Sequence, residues 1–273
     1  MDFTDRSPNA TFLLYTALTY GFSWSIWGLW AIVPDASSFI QTALLVLGTL
    51  GPFLAGLVLI QASDRSLKAW LAGIFRIRVP ARYYVFALVL PVVVVLFAAS
   101  FQLVLFDGEV ALETVPRAIE YPLYLGFVLL FGGGLEEPGW RGYLLPRLQQ
   151  RYSALTAALL IGTVWAIWHL PLFMIPNAVQ SGLSPLLYIP QVLALSIILT
   201  WITNATDSSV LPAILLHSGG NAILNYYPIG GAAGVSSTIG LGLLVATLVV
   251  FAGVLVVLYG PKNLSPSDKK STF

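Results

Sequence analysis

Apolar residues in this chain come in long runs, with no strand-like alternation. Polar and charged positions gather in the short stretches between them. A helix that crosses a bilayer needs about 20 mostly apolar residues. Read in those units, the runs predict eight spans: 11–33, 39–61, 83–106, 119–136 with an extension beyond it, 154–175, 185–203, 208–225 and 236–259. The first three and the last are the cleanest. The middle four are broken by Gly, Pro and polar side chains, which a membrane helix tolerates where neighbouring helices or a cavity satisfy its backbone. The pattern predicts an all-α, polytopic membrane bundle of about eight transmembrane helices, with a catalytic cavity inside it, over a single integral-membrane domain, 1–273. One stretch has a different period. "DRSLKAWLAGIFRIRVPAR", within 64–82, is basic and sets Trp70, Leu71, Ile74 and Phe75 at near-helical spacing. It reads as an amphipathic helix on the cytoplasmic leaflet, with an ordinary basic loop as the alternative.

Composition supports the membrane class. The chain has 273 residues, of which 58% are hydrophobic and 9% charged, against about 25% charged in soluble domains. Its net charge of +1 offers no broad basic face to nucleic acid. Cysteine is absent, which removes disulfides, thiol catalysis and Cys-ligated zinc. The run from Thr11 to Val33 is too long for a signal-peptide core and lacks a small-residue cleavage site, so it reads as a retained span. With eight spans and a cytoplasmic N-terminus, nearly all basic residues fall on the cytoplasmic side. They are Arg6; Arg65, Lys68, Arg76, Arg78 and Arg82; Arg141, Arg147 and Arg151; and Lys262, Lys269 and Lys270. Only Arg117, in the mostly acidic loop "DGEVALETVPRAIE", lies opposite. This asymmetry predicts that both termini are cytoplasmic, in an integral protein of the plasma membrane.

The candidate chemistry lies in three interrupted spans. Ionisable groups are rare inside membranes, and where present they face the bundle interior or a wet cavity. "GGGLEEPGWRG" places Glu136 and Glu137 at the end of the fourth run, with Arg141 four residues after Glu137. The chain's two histidines, His169 and His217, fall in the fifth and seventh spans. Asn221 follows His217 by one helical turn. About 15 helical residues separate Glu136, and about 18 separate His169, from the turn at Arg151, so a hairpin sets both roughly 23–27 Å from it. His217 lies near mid-membrane. A carboxylate and an imidazole at one depth can take a proton from water and orient it, and His217 with Asn221 can present N–H groups to an oxyanion. That equipment hydrolyses a peptide bond without a Ser or Cys nucleophile. Zinc held by Glu136, His169 and His217 is the alternative, although the zincin motif is missing. Each residue also has a plainer reading: a buried structural His, a helix-end Glu137–Arg141 ion pair, and packing or interfacial aromatics at Trp140, Trp165 and Trp168.

Three motifs in order carry a family resemblance. "EEPGWR" fits E-E-x-x-x-R. "WAIWH" sets an aromatic residue, Trp165, where the family usually has Phe, separated by three residues from His169. "HSGGN" fits H-x-x-x-N, from His217 to Asn221. Together they resemble the CAAX protease and bacteriocin-processing family of intramembrane endopeptidases, well over 120–226 and by hydropathy alone outside it. The resemblance implies that Glu136, with His169, activates water. It implies that His217 and Asn221 stabilise the oxyanion, and that Glu137, Arg141 and Trp165 support them. It needs no cofactor, so the metal-free mechanism is favoured over zinc. The implied substrate is a peptide or a prenylated or otherwise lipidated protein, met at the lipid bilayer. Some relatives resemble immunity proteins or scaffolds without catalysis, which keeps a non-enzymatic membrane protein of the same fold open. A proton-relay transporter is the third reading, and no internal repeat supports it.

Overall fold

The computed structural model describes residues 8–33 and 35–266, and every regular element among them is helical. The basic residues Arg6, Lys269 and Lys270 lie outside the described residues. In chain order the helices are α1 (Pro8–Ile32), α2 (Ser38–Thr49), α3 (Gly51–Gln61), α4 (Leu67–Ile74), α5 (Ala81–Leu105) and α6 (Tyr121–Phe131). A broken helical segment comes next, containing the short helices α7 (Glu137–Gly139) and α8 (Leu145–Leu148). Then come α9 (Ala154–Trp168), α10 (Pro185–Ala205), α11 (Leu211–Ile223), α12 (Gly231–Ser236) and α13 (Thr238–Tyr259). Serines start three of them. Ser66, Ser153 and Ser237 each accept a hydrogen bond from a backbone N–H in the first turn of α4, α9 and α13, which satisfies an otherwise unpaired donor.

The all-helical membrane class stands, but the count of spans falls. Four stretches are long and apolar enough to cross a bilayer: α5, α10, α13 and the segment Leu112–Leu148. The α2–α3 pair, bent by 40° at Leu50, makes a fifth if taken as one span. The other three predicted spans miss that standard for physical reasons. Helix α1 has the length, but polar and aromatic residues dilute its apolarity. Helix α9 stops after Trp168, because Pro171 lacks the N–H that would continue it. Helix α11 has only 13 residues, between Pro212 and the 3-10 turn Leu224–Tyr226. Four or five apolar spans make the chain an integral membrane protein.

The basic stretch docks one of its faces on the protein. Helix α4 turns Trp70 and Ile74 into the core, while Phe75 (58%) and Ile77 (71%) beyond its end are exposed. Its docking partner is the broken segment. Pro146 has no N–H to give the carbonyl of Gly142, four residues back. That oxygen accepts from Trp70 Nε1 instead (3.0 Å). Gly56 and Gly142 present flat backbone to the Trp70 ring and to Ile74.

The segment from Gly132 to Leu148 is the hub of the fold. It is not the continuous helix that the hydropathy implies. Helix α6 ends at Gly132, a 3-10 turn covers Gly133–Leu135, and helix resumes at Glu137. Trp140–Leu144 is a π-helical turn, closed by Leu145 N–H on the Trp140 carbonyl. Such turns cluster at functional sites. Gly139 packs directly on Pro52 of α3. A methyl group there would overlap the Pro52 carbonyl and the Tyr15 hydroxyl, which bond each other at 3.1 Å. Gly139→Ala is therefore expected to destabilise the protein by ~1–3 kcal/mol, as overpacked sites do. A lower midpoint in a denaturant titration in detergent is the expected result, and an unchanged midpoint would refute the α1–α3–α7 junction.

Candidate active site

The broken segment brings its acids against α9 and α11. Gly133 and Gly134 make this approach possible. A side chain at Gly133 would overlap His217 Nε2, and one at Gly134 would sit 2.6 Å from Ser218 Oγ. Glycine removes the Cβ and lets α11 press its polar face on the turn before Glu136.

Glu137 is fully buried and binds two cations or potential cations. His217 Nδ1 donates to its Oε1 at 2.7 Å. Arg141 Nη1, one turn along, donates to Oε1 at 3.2 Å and lies 3.1 Å from Oε2. The arginine is itself fully buried, and its Nη2 donates to Ser196 Oγ of α10 at 3.0 Å. Ser196 in turn donates to the Ala158 carbonyl of α9 (2.7 Å). A buried charge is tolerable only with close, hydrogen-bonded partners, and this chain of contacts supplies them.

Glu136 is 3% exposed. Its Oε2 accepts from Trp165 Nε1 at 2.7 Å. Trp140 brings a second indole beside the same carboxylate. His169 caps α9: its Nδ1 bonds the Trp165 carbonyl (2.9 Å), one of the acceptors a helix end leaves without a backbone partner. A carbonyl only accepts, so Nδ1 carries the proton and Nε2 holds the lone pair in the neutral ring. The same logic puts a proton on His217 Nδ1, facing the Glu137 carboxylate. Tyr188 of α10 packs its ring against His169 (5.3 Å between centroids).

The sequence-selected residues thus converge in two linked groups. Glu137, Arg141 and His217 bond one another, and Glu136 and His169 are joined through the side chain and backbone of Trp165. Asn221 stands apart. It is exposed, lies beside Gly133, and makes no hydrogen bond to either group among the described residues. It lines a cavity of about 60 Å³ between α5, α10, α11 and α13, with Pro91, Val94, Gln191 and Leu216. Glu136, His169 and His217 do not line that cavity. The zinc ligand set does not assemble: among the described residues no three His, Asp or Glu side chains form a group able to hold a metal.

Two contributors were missed from the sequence. Ser196 was legible as a lone hydroxyl in the apolar run "LALSIILT". Tyr188 carried no signal apart from ordinary packing. Arg141→Met leaves Glu137 buried with one partner lost, and is expected to destabilise by ~3–5 kcal/mol. The double variant Glu137→Gln/Arg141→Met should recover part of that loss in a denaturant titration. Equal stability of the single variant and the parent would refute the buried pair.

The segment that holds this cluster also matches known proteins. Residues 118–223 match the family model described as type II CAAX prenyl endopeptidase Rce1-like. The chain is 27% identical over 229 residues to CAAX prenyl protease 2 of Methanococcus maripaludis, an alignment covering 75% of this chain and 80% of that protein. The resemblance read from the three motifs is borne out by this match.

Proposed function

We propose that this Rce1-like chain is an intramembrane endopeptidase that hydrolyses a peptide bond with a water activated at Glu136. The observation that carries the reading is the buried cluster of Glu136, Glu137, Arg141, His169 and His217, inside the segment that matches the family. Glu136 Oε1, the oxygen not bonded by Trp165, takes the proton of the attacking water, and His169 orients that water through its Nε2 lone pair. The tetrahedral oxyanion is met by N–H groups of His217 and Asn221. As a donor at Nε2, His217 carries both ring protons. Glu137 and Arg141 hold His217 in register with the acids.

The printed names of the family and the relative, prenyl endopeptidase and CAAX prenyl protease, point to a prenylated protein or peptide reached from the bilayer. The proposed orientation places both termini in the cytoplasm, in the plasma membrane, because Arg65, Lys68, Arg76, Arg78 and Arg82 then share the cytoplasmic side. The mechanism is written without a metal, since among the described residues no three candidate donors form a group able to hold one.

An internally quenched farnesylated peptide ending in a CAAX sequence, in detergent micelles, tests the assignment. Glu136→Gln is expected to lower kcat by roughly 10²- to 10⁴-fold with an unchanged thermal midpoint. Asn221→Ala should lower it by about 10²- to 10³-fold. Wild-type rates in Glu136→Gln would refute the reading. Prolonged incubation with a zinc chelator should leave the wild-type rate intact, and a loss restored by added zinc would overturn the metal-free mechanism.

A further inference from the structure

We propose that Trp165 is a positioning residue for the Glu136 carboxylate, acting through its indole N–H; this rests on the endopeptidase reading above. Its role goes beyond the packing aromatic that the sequence suggests. The Nε1–H donates to Glu136 Oε2 at 2.7 Å, with both side chains buried. A glutamate side chain has three rotatable bonds and two equivalent oxygens. The Trp165 donor on Oε2 removes that equivalence and leaves Oε1 as the oxygen that accepts a proton.

The ring that holds this donor is itself held on two sides, and its backbone on a third. The Arg141 guanidinium lies over it, 4.9 Å from the ring centroid. The His217 ring meets it edge-on at 5.0 Å between centroids. Its own backbone carbonyl binds His169 Nδ1. The helical turn is clamped from α1: Tyr20 donates to the Val164 carbonyl (2.6 Å) and Trp24 to the Trp168 carbonyl (2.9 Å). On the other face Gly162 leaves no room between α9 and α10, where a methyl would lie 3.0 Å from Leu193 and Ser196. Trp165 therefore touches every ionisable group of the cluster except Glu137 directly, and its position is set by rigid neighbours. Phenylalanine at this place would keep the ring contacts and lose the bond to Glu136.

Trp165→Phe separates the two. With the farnesylated CAAX peptide, kcat is expected to fall roughly 10- to 100-fold, the scale on which small misplacements of a reacting group act, while KM changes little. A loss of packing would instead lower the thermal midpoint, so that is measured in parallel. Replacing Trp165 with benzothienylalanine, which keeps the bicyclic shape and puts sulfur where the N–H was, should reproduce the kcat loss without any change in volume. An independent readout reports on the bond itself. The infrared carboxylate bands of Glu136, assigned by subtracting the Glu136→Gln spectrum, are expected to shift in Trp165→Phe. Wild-type cleavage with undiminished kcat in both Trp165 variants would overturn this assignment and leave the endopeptidase reading standing. Bands that do not move would overturn it regardless of activity. No cleavage by the wild-type protein would sink the endopeptidase reading instead, with the infrared shift still deciding the Trp165–Glu136 bond.

Discussion

The contact between Glu137 and His217 organises this molecule. It joins residues 80 positions apart, and it is the bond that ties the broken segment to α11. A carboxylate without exposed surface, in a largely apolar chain, is stable only while its partners remain in place. Arg141 supplies the counter-charge from the next turn, and Ser196 extends the link into α9 and α10. Four helical segments are thereby referred to one buried carboxylate. Most other features near the site are conditions for this contact. Gly133 and Gly134 have no side chains because α11 must come close. Helix α6 stops at Gly132 because a continuous helix would not present this flat turn to His217.

The π-turn at Trp140–Leu144 shows how local chemistry shapes the hub. Pro146 removes one helical donor, and the freed Gly142 carbonyl is taken up by Trp70 of α4. The same short segment thus makes the acid pair on one side and anchors a helix on the other. Arg141 lies inside the turn and still reaches Glu137 at the i,i+4 spacing.

Much of this was legible in the sequence, for reasons that also mark where legibility stops. Long apolar runs announce helices whether or not each one crosses a bilayer. That is why eight spans were read while four or five meet the length and apolarity of an independent crossing: Pro171 shortens α9, and Pro212 and the turn at Leu224 bound α11. The Glu137–Arg141 pair was readable because spacing within one helix sets it. The Glu137–His217 bond was not, since the register between distant segments is invisible to local pattern. The amphipathic spacing of α4 was legible, but not that protein covers Trp70 and Ile74. Trp70 and Ile74 look alike in sequence whether lipid or protein covers them. Trp165 was read for its ring, and its N–H became informative only once Glu136 was beside it.

The two histidines illustrate how similar residues are given different chemistry. Each bonds through Nδ1, so each leaves Nε2 for whatever enters the site. Their partners differ. His169 bonds a neutral backbone carbonyl, which supplies no counter-charge, and it closes the end of a helix whose last turn is clamped by α1. His217 bonds a carboxylate. In the proposed mechanism the first environment serves a ring that accepts a hydrogen bond from water, and the second a ring that donates one to a developing oxyanion. That division between acceptor and donor follows from a carbonyl and a carboxylate, neither of which belongs to the histidines themselves.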